Sequence, residues 1–546
     1  MRKVLLTALA AAALAGGCVK VDDSLGENLI DKSLLMDTFT ETYPLTGIRL
    51  KLSSDLSGFS DTKVTVGAIR DEVFGLTTRE SAFPLIPAAD TIDLGQNPVA
   101  LGMDISFAAD TISCADDSQV RILQNLLVTE LSAPLDMNRR STNTALAHSD
   151  AIVTDGIPVY SGEGALNFRF TKAFAQKYVD GIVALGPVLK DRKNGKTDKY
   201  KEYCEALPGI HIRTEAPQGN GGRINMFNLS CLSVSNSYYV RNDNVAILKV
   251  RSTWNGVQKD SSFLFIPGEP SFIDESDYIN NNKRFYQYAF NSTGHSTAEG
   301  APTDRLLVDG GGGVKPVVSA QELLDHAKDA IEKHGGDISK AIIVKASLIF
   351  PYEQPDDWTQ VKYFPTVLSP TIRSSSEKDG VTQYTFAGLT DASVSSENQG
   401  TLDRALLQYA PDITYHMQAI LSRSPEKLSE ADVWLLTLHT NKVANANGSL
   451  YDNEYYRNLM YASYYDSLYG GGYGGYGYGG YGYGGYGGYS NYYNYMMMAQ
   501  MMSASSQTSY SYTTELDKDR YYKGILCGMS SQRAPQLRIS FAIPRE

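Results

Sequence analysis

The 546-residue sequence predicts a mainly β protein: two successive antiparallel β-sandwich domains, jelly-roll-like, with a few short helices and a disordered Gly/Tyr-rich insertion. Three observations carry that expectation. Short apolar runs of strand length recur along most of the chain and are broken by turn-prone clusters such as Arg192-Lys193-Asn194-Gly195 and Gly219-Asn220-Gly221-Gly222. Only one segment has a helical period with signals at both ends. Residues Tyr469 to Tyr489 contain nothing but Gly and Tyr, so they have no period that could bury a core and a high entropy of ordering.

Taken in chain order, residues 1–17 form an export signal. Arg2 and Lys3 precede an apolar run from Val4 to Leu14, and Ala15-Gly16-Gly17 lead to Cys18. That run is too short to span a bilayer. A Cys directly after small residues resembles the bacterial lipoprotein signal, in which the Cys is lipidated and becomes the mature N-terminus. Loss of Arg2 and Lys3 would take the net charge from −12 to −14. Residues 18–35 form an acidic tether, and its start, Val19-Lys20-Val21-Asp22-Asp23, resembles the surface-export signal of Bacteroidetes-type lipoproteins. That likeness implies an outer-membrane location, lipid-anchored and facing the exterior.

Residues 36–273 are expected to form the first sandwich. Lys63-Val64-Thr65-Val66-Gly67 alternates, Leu101 to Phe107 does so roughly, and Val245 to Val250 is a nearly continuous apolar strand. One exception is Asn167 to Val179, where Phe168, Phe170, Phe174 and Tyr178 suit a short helix. The polar stretch 274–305 is expected to be a linker or long loop. The second sandwich would take residues 306–450 and 515–546, interrupted by the low-complexity insertion 451–514. Its clearest element is a helix from Ser319 to His334, with Ser319 and Glu322 at capping-box spacing and Leu323, Leu324, Ala327, Ala330 and Ile331 as the apolar stripe. Strands follow at Ala341–Ile349 and Val433–Leu438. A last strand pair is expected from Tyr521–Gly528 and Gln536–Ile543.

The segment Gly67-Ala68-Ile69-Arg70-Asp71-Glu72-Val73-Phe74-Gly75-Leu76-Thr77 resembles a motif of a family of Bacteroidetes surface lipoproteins, roughly Gly-Ser-x-x-Asp-Pro-x-Phe-Gly-x-Thr. The resemblance extends to Leu127–Leu131, to Tyr203–Arg213 and to Gly312-Gly313-Val314-Lys315 ahead of the helix. This chain departs from the pattern at Glu72, where Pro is common, and in its Gly/Tyr insertion. The family has no assigned biochemical function, so the likeness implies consecutive β domains and a surface location, and no catalytic residues. Gly67, Asp71, Phe74 and Gly75 are expected to be structural: Asp71 as a turn residue accepting backbone N–H bonds, Phe74 entering the core, and Gly75 supplying an unusual dihedral.

Enzyme signatures are missing. The sequence contains no HExxH, no GxSxG and no GxGxxG after a strand. Gly195-Lys196-Thr197 ends like a phosphate loop, but Lys190 stands where the earlier Gly is required. Ser424-Pro425-Glu426-Lys427 reads as a turn. His326 and His334 are eight residues apart, about 80° around a helix, which suits one ion poorly. Asp116-Asp117 and Asp356-Asp357 are adjacent pairs, without the separation that a glycosidase requires. No metal or other cofactor is expected. An acidic chain lacks the basic stripe that neutralises phosphates, which argues against nucleic acid as a partner. The cysteines Cys114, Cys204, Cys231 and Cys527 are widely spaced and leave pairing open.

The Tyr side chains of the insertion carry the functional expectation. Tyr469, Tyr473, Tyr476, Tyr478, Tyr481, Tyr483, Tyr486 and Tyr489 present large flat surfaces with few rotors and a hydroxyl, and Met496-Met497-Met498 adds adaptable apolar surface. The expected role is a non-enzymatic interaction subunit, whose partners would be an outer-membrane β-barrel or other surface lipoproteins in an assembly or export complex. The alternative is a glycan-binding surface lipoprotein. Scattered Trp254, Trp358 and Trp434 fit that alternative less well, since sugar platforms need aromatic rings on one face.

Overall fold

The structure, a computed structural model, describes residues 35–191, 197–229, 232–235, 238–241, 244–268, 287–390, 397–444 and 510–545. Cys18, the signal segment and the Gly/Tyr block lie outside these residues. The described chain is mainly antiparallel β, arranged around two hydrophobic cores. No helix among the described residues is long and apolar enough to cross a membrane.

The first core lies between two sheets. One runs in the order His148–Ile152, Gln124–Leu131, Ile210–Thr214, Gly75–Phe83, Lys63–Asp71, Gly221–Asn228 and Ala109–Cys114. The other runs Leu166–Arg169, Gln96–Phe107, Ala246–Trp254, Val257–Pro267 and Leu85–Pro87. Alternation places Phe83, Met103, Phe107, Val128, Ile212, Leu248 and Phe265 inside. The expected helix forms at Lys172–Leu185, where Thr171 caps it by accepting from the Phe174 amide at 3.2 Å. Phe174 and Tyr178 are on its buried face, whereas Phe168 belongs to the preceding strand and Phe170 forms an isolated bridge with Thr154. Strand pairing with Gln96–Phe107 wins over helical spacing there.

The second core has one sheet of Met36–Pro44, Gln536–Pro544, Ile342–Pro351 and Gln408–Tyr409. The other consists of Arg49–Leu52, Val314–Val318, Val433–Ala444, Val367–Lys378 and Val381–Gly388, with Tyr510–Leu516 paired to Val433–Ala444. Helix Ala320–Lys333 buries Leu323, Leu324, Ala327, Ala330 and Ile331 in this core. Ser319 caps it through the Gln321 amide at 3.2 Å. Glu322 does not close a capping box. Its Oε1 instead accepts from the Thr46 and Gly47 amides at 2.6 and 3.0 Å, tying the N-terminal segment to the helix.

Three boundaries differ from the sequence expectation, each for a pairing reason that linear patterning does not contain. Residues 36–52 join the second core, because Met36–Pro44 pairs through nine consecutive positions with Gln536–Pro544 and Leu45, Ile48 and Leu50 follow it inward. Within the expected linker, Ala289–His295 is a strand paired with Gly75–Phe83. The last two strands are not partners: Lys523–Cys527 pairs with Arg305–Asp309, and Gln536–Pro544 lies between Met36–Pro44 and Ile342–Pro351.

Candidate functional site

The motif singled out in the sequence forms a hairpin of Lys63–Asp71 and Gly75–Phe83 that faces the second half of the chain. Gly67 lies where this hairpin meets Gly221–Asn228; a Cβ there would sit 2.2 Å from the Arg223 carbonyl oxygen. Asp71 organises the turn. Its Oδ1 accepts from the Val73 and Phe74 amides at 2.8 and 3.1 Å, and its Oδ2 pairs with Lys523 Nζ at 2.9 Å. Gly75 has φ +67°, a conformation that few L side chains adopt. Phe74 is 1% exposed and meets Tyr521 edge-on at 6.3 Å. The motif residues therefore come together as a plug that docks the first half onto the Tyr521–Cys527 segment.

Beside the plug lies a buried charged seam. His295 Nδ1 is 2.7 Å from Asp309 Oδ2, and the Gly310 amide donates to Asp309 Oδ1 at 2.6 Å. Lys315 Nζ donates to the carbonyls of Asp309, Gly311 (3.1 Å) and Gly313 (3.3 Å). Arg79, fully buried, donates from Nη1 to the Thr78 carbonyl at 3.0 Å, while its Nε and Nη2 have no partner in the structure. Asp517 receives Tyr522 Oη at 2.6 Å and Arg520 Nη1 at 3.0 Å. Burial pushes the Lys315 ammonium down to about 7, against the opposing pull of Asp309. Burial also lowers His295, which favours its neutral form despite Asp309. Asp309 stays below the usual carboxylate range because its attractions to His295, Lys315 and Arg79 together outweigh desolvation, the largest single influence on it.

This seam holds the halves together and offers little to a substrate, since Asp309 and Lys315 are at most 1% exposed. Above it opens a groove of about 640 Å³, lined among others by Glu72, Val73, Phe74, Ser296, Glu299 and Arg305. Two of its charged groups are engaged within the chain: Glu299 Oε1 accepts from the Leu52 amide at 2.8 Å, and Arg305 Nε meets Glu353 Oε1 at 2.9 Å. Among the described residues no group of three or more His, Cys, Asp or Glu could hold a metal ion. The two helical histidines stack separately, His326 on Tyr43 at 4.8 Å and His334 on Phe39 at 4.1 Å. His416 is a core residue bonded to the Ala431 carbonyl at 2.8 Å, and burial pushes it down to about 4. Cys114 and Cys527 are buried, unpaired thiols. Trp434 is buried in the second half, Trp254 bonds Ser252 in the first, and Trp358 is half-exposed at the start of the short 3-10 helix Trp358–Tyr363, so the three Trp share no face.

The insertion is rooted on a different feature. Val433–Ala444 pairs with Val367–Lys378 only over residues 433–438, and with Tyr510–Leu516 over residues 438–444. Beyond Leu438 these two strands form a ribbon without a third strand among the described residues, running about 20 Å past the sheet at roughly 3.3 Å per residue. Ala444 and Tyr510 face each other at its end, so residues 445–509 connect across one register position. The Tyr side chains expected to contact a partner lie outside the described residues, as do Cys18 and Met496–Met498. Sequence reasoning gave no role to Arg79, His295, Asp309 or Asp517, and took Lys315 only as part of the family resemblance. One usable signal was Lys315 within the apolar run Val314-Lys315-Pro316-Val317-Val318, since a lone charge in a fully buried strand demands partners. Comparison with protein-family models, with curated proteins and with solved structures returned no match to this chain.

Proposed function

We propose that this protein is a non-enzymatic interaction subunit, anchored by lipid at Cys18 to the outer face of an outer membrane, where it serves a protein or lipoprotein assembly or export complex. The observation that supports this most is the placement of the Gly/Tyr insertion. It leaves from a two-stranded ribbon that runs beyond its sheet, where contact with a partner costs no core packing. Tyr-rich, Gly-spaced chain suits broad contact with extended protein surface. A non-catalytic role fits the histidines and buried carboxylates being occupied in stacking, seam and core contacts. The test is a gentle-detergent pull-down of the tagged chain beside a variant lacking residues 466–490. A stoichiometric outer-membrane barrel recovered only with the intact insertion is the expected result. Recovery of the chain alone from both would sink the proposal.

A glycan-binding role has one observation in its favour. An open concavity of about 820 Å³ on the first sandwich brings Asp104, Asp155, Asn167 and Arg169 beside Phe168 and Ile247, a mix of polar and apolar groups that suits sugars. Titration with a glycan panel against the Asn167→Ala variant measures it directly, and no saccharide binding by the unmodified chain would remove it.

A further inference from the structure

The edge strand Met36–Pro44 is unusual in what it lacks. It pairs with Gln536–Pro544 through nine consecutive positions with no register shift, and no other strand among the described residues pairs with it. Natural edges are blunted by Lys, bulges, shortness or Pro. This one carries no Lys or Arg, no bulge, and Pro only at its last position. Its two acidic residues are already neutralised inside the chain: Asp37 by Arg545 at 2.9 Å, and Glu41 by Lys333 at 2.9 Å and His334 at 2.8 Å.

The register also shows which backbone groups are free. The Arg545 amide donates to the Leu35 carbonyl and the Leu45 amide to the Pro535 carbonyl, so odd-numbered residues bond inward to the C-terminal strand. The N–H and C=O groups of Met36, Thr38, Thr40 and Thr42 therefore point to the open edge. The side chains of Thr38, Thr40 and Thr42 are exposed on one face.

We propose that this edge pairs antiparallel with the same edge of a second copy of the chain, about a two-fold axis at Thr40. In that register Thr40 faces Thr40 of the second copy and Thr38 faces Thr42 of the second copy, each exchanging both backbone hydrogen bonds. Met36 faces Pro44 of the second copy, so the Pro forfeits a bond only at the rim. Phe39 falls opposite Glu41 of the second copy and Asp37 opposite Tyr43 of the second copy, so no like charges oppose each other. The outward face becomes a continuous row of Thr–Thr pairs, which stabilise antiparallel ladders. The contact is isologous and closed, so it yields a dimer and not a fibre. Two four-stranded sheets become one of eight strands.

Cysteine pairing tests the register on the full chain. Thr40→Cys places two thiols about the axis at a Cα separation near 5.5 Å, within disulfide reach. Thr38→Cys and Thr42→Cys place theirs about 13 Å apart, beyond it. The expected result is a covalent dimer from Thr40→Cys alone, and a heterodimer when the other two variants are mixed. Light scattering should give twice the chain mass for the unmodified protein and a single-chain mass for Thr40→Lys, with an unchanged circular dichroism spectrum. Equal cross-linking at all three positions, or a single-chain mass for the unmodified protein throughout the micromolar range, would overturn the proposal.

Discussion

The motif hairpin and the insertion ribbon are built from the same unit, two antiparallel strands, and are put to opposite uses. The hairpin of Lys63–Asp71 and Gly75–Phe83 turns inward: Phe74 is buried on Tyr521, Asp71 is spent on its own turn and on Lys523, and Arg79 is sealed beneath the Gly310–Gly313 loop. The ribbon turns outward, and its end opens into residues 445–509. The difference teaches that the most recognisable motif of this sequence marks where the two halves are fastened. The proposed function assigns recognition to the ribbon instead.

That contrast can be broken by mutation. Asp309→Asn should have the largest effect. It removes the anion that faces His295, Lys315 and Arg79 and leaves buried cations uncompensated, an expected loss of about 3–5 kcal/mol measurable by denaturant unfolding. Phe74→Ala should cost about 3–4 kcal/mol through the cavity left against Tyr521. Replacing residues 445–509 by Asn-Gly should do the reverse. Ala444 and Tyr510 already face each other, and shortening the connection lowers loop-closure entropy by about 2–3 kcal/mol. A melting curve that falls for this variant would show that the insertion belongs to the fold.

The seam should also respond to pH where the ribbon does not. Lys315 is held at about 7 when folded, below its ordinary 10.5, so the unfolded chain binds more protons between those values. Stability should therefore rise as pH increases from about 7 toward 10. His295 is lowered from 6.5, so stability should fall further as pH drops below 6.5. Each group contributes a slope of up to about 1.4 kcal/mol per pH unit. Lys315→Met should flatten the alkaline limb, which a pH series of thermal unfolding would read out. The smallest expected effect is Asp71→Ala, about 1–2 kcal/mol for two amides and a lysine left without their acceptor.

How far the sequence could be read follows from which physical rule was local. Period-2 alternation identified Lys63–Gly67, a nearly continuous apolar run identified Val245–Val250, and the apolar stripe of Ala320–Lys333 is as its spacing required. Asp71, Phe74 and Gly75 were legible because a turn is settled by its own few residues. Nonlocal pairing was not legible. Nothing in residues 36–44 says that their partner lies some 500 positions away, and the strand Ala289–His295 hides in a polar stretch because its neighbours in the seam are polar too. Nothing local marks Arg79 and Asp309 as buried, since burial of a charge depends on partners brought from elsewhere in the chain.

The most direct test carries one seam variant and one ribbon variant through the same two assays. Phe74→Leu, a mild change in volume, and the Asn-Gly replacement of residues 445–509 would each be tagged, solubilised gently and examined for melting and for co-purified partner. The account predicts that Phe74→Leu melts lower yet keeps its partner, while the ribbon variant melts higher and loses it. A ribbon variant that still brings down a stoichiometric partner, or a folded Phe74→Leu that does not, would contradict it.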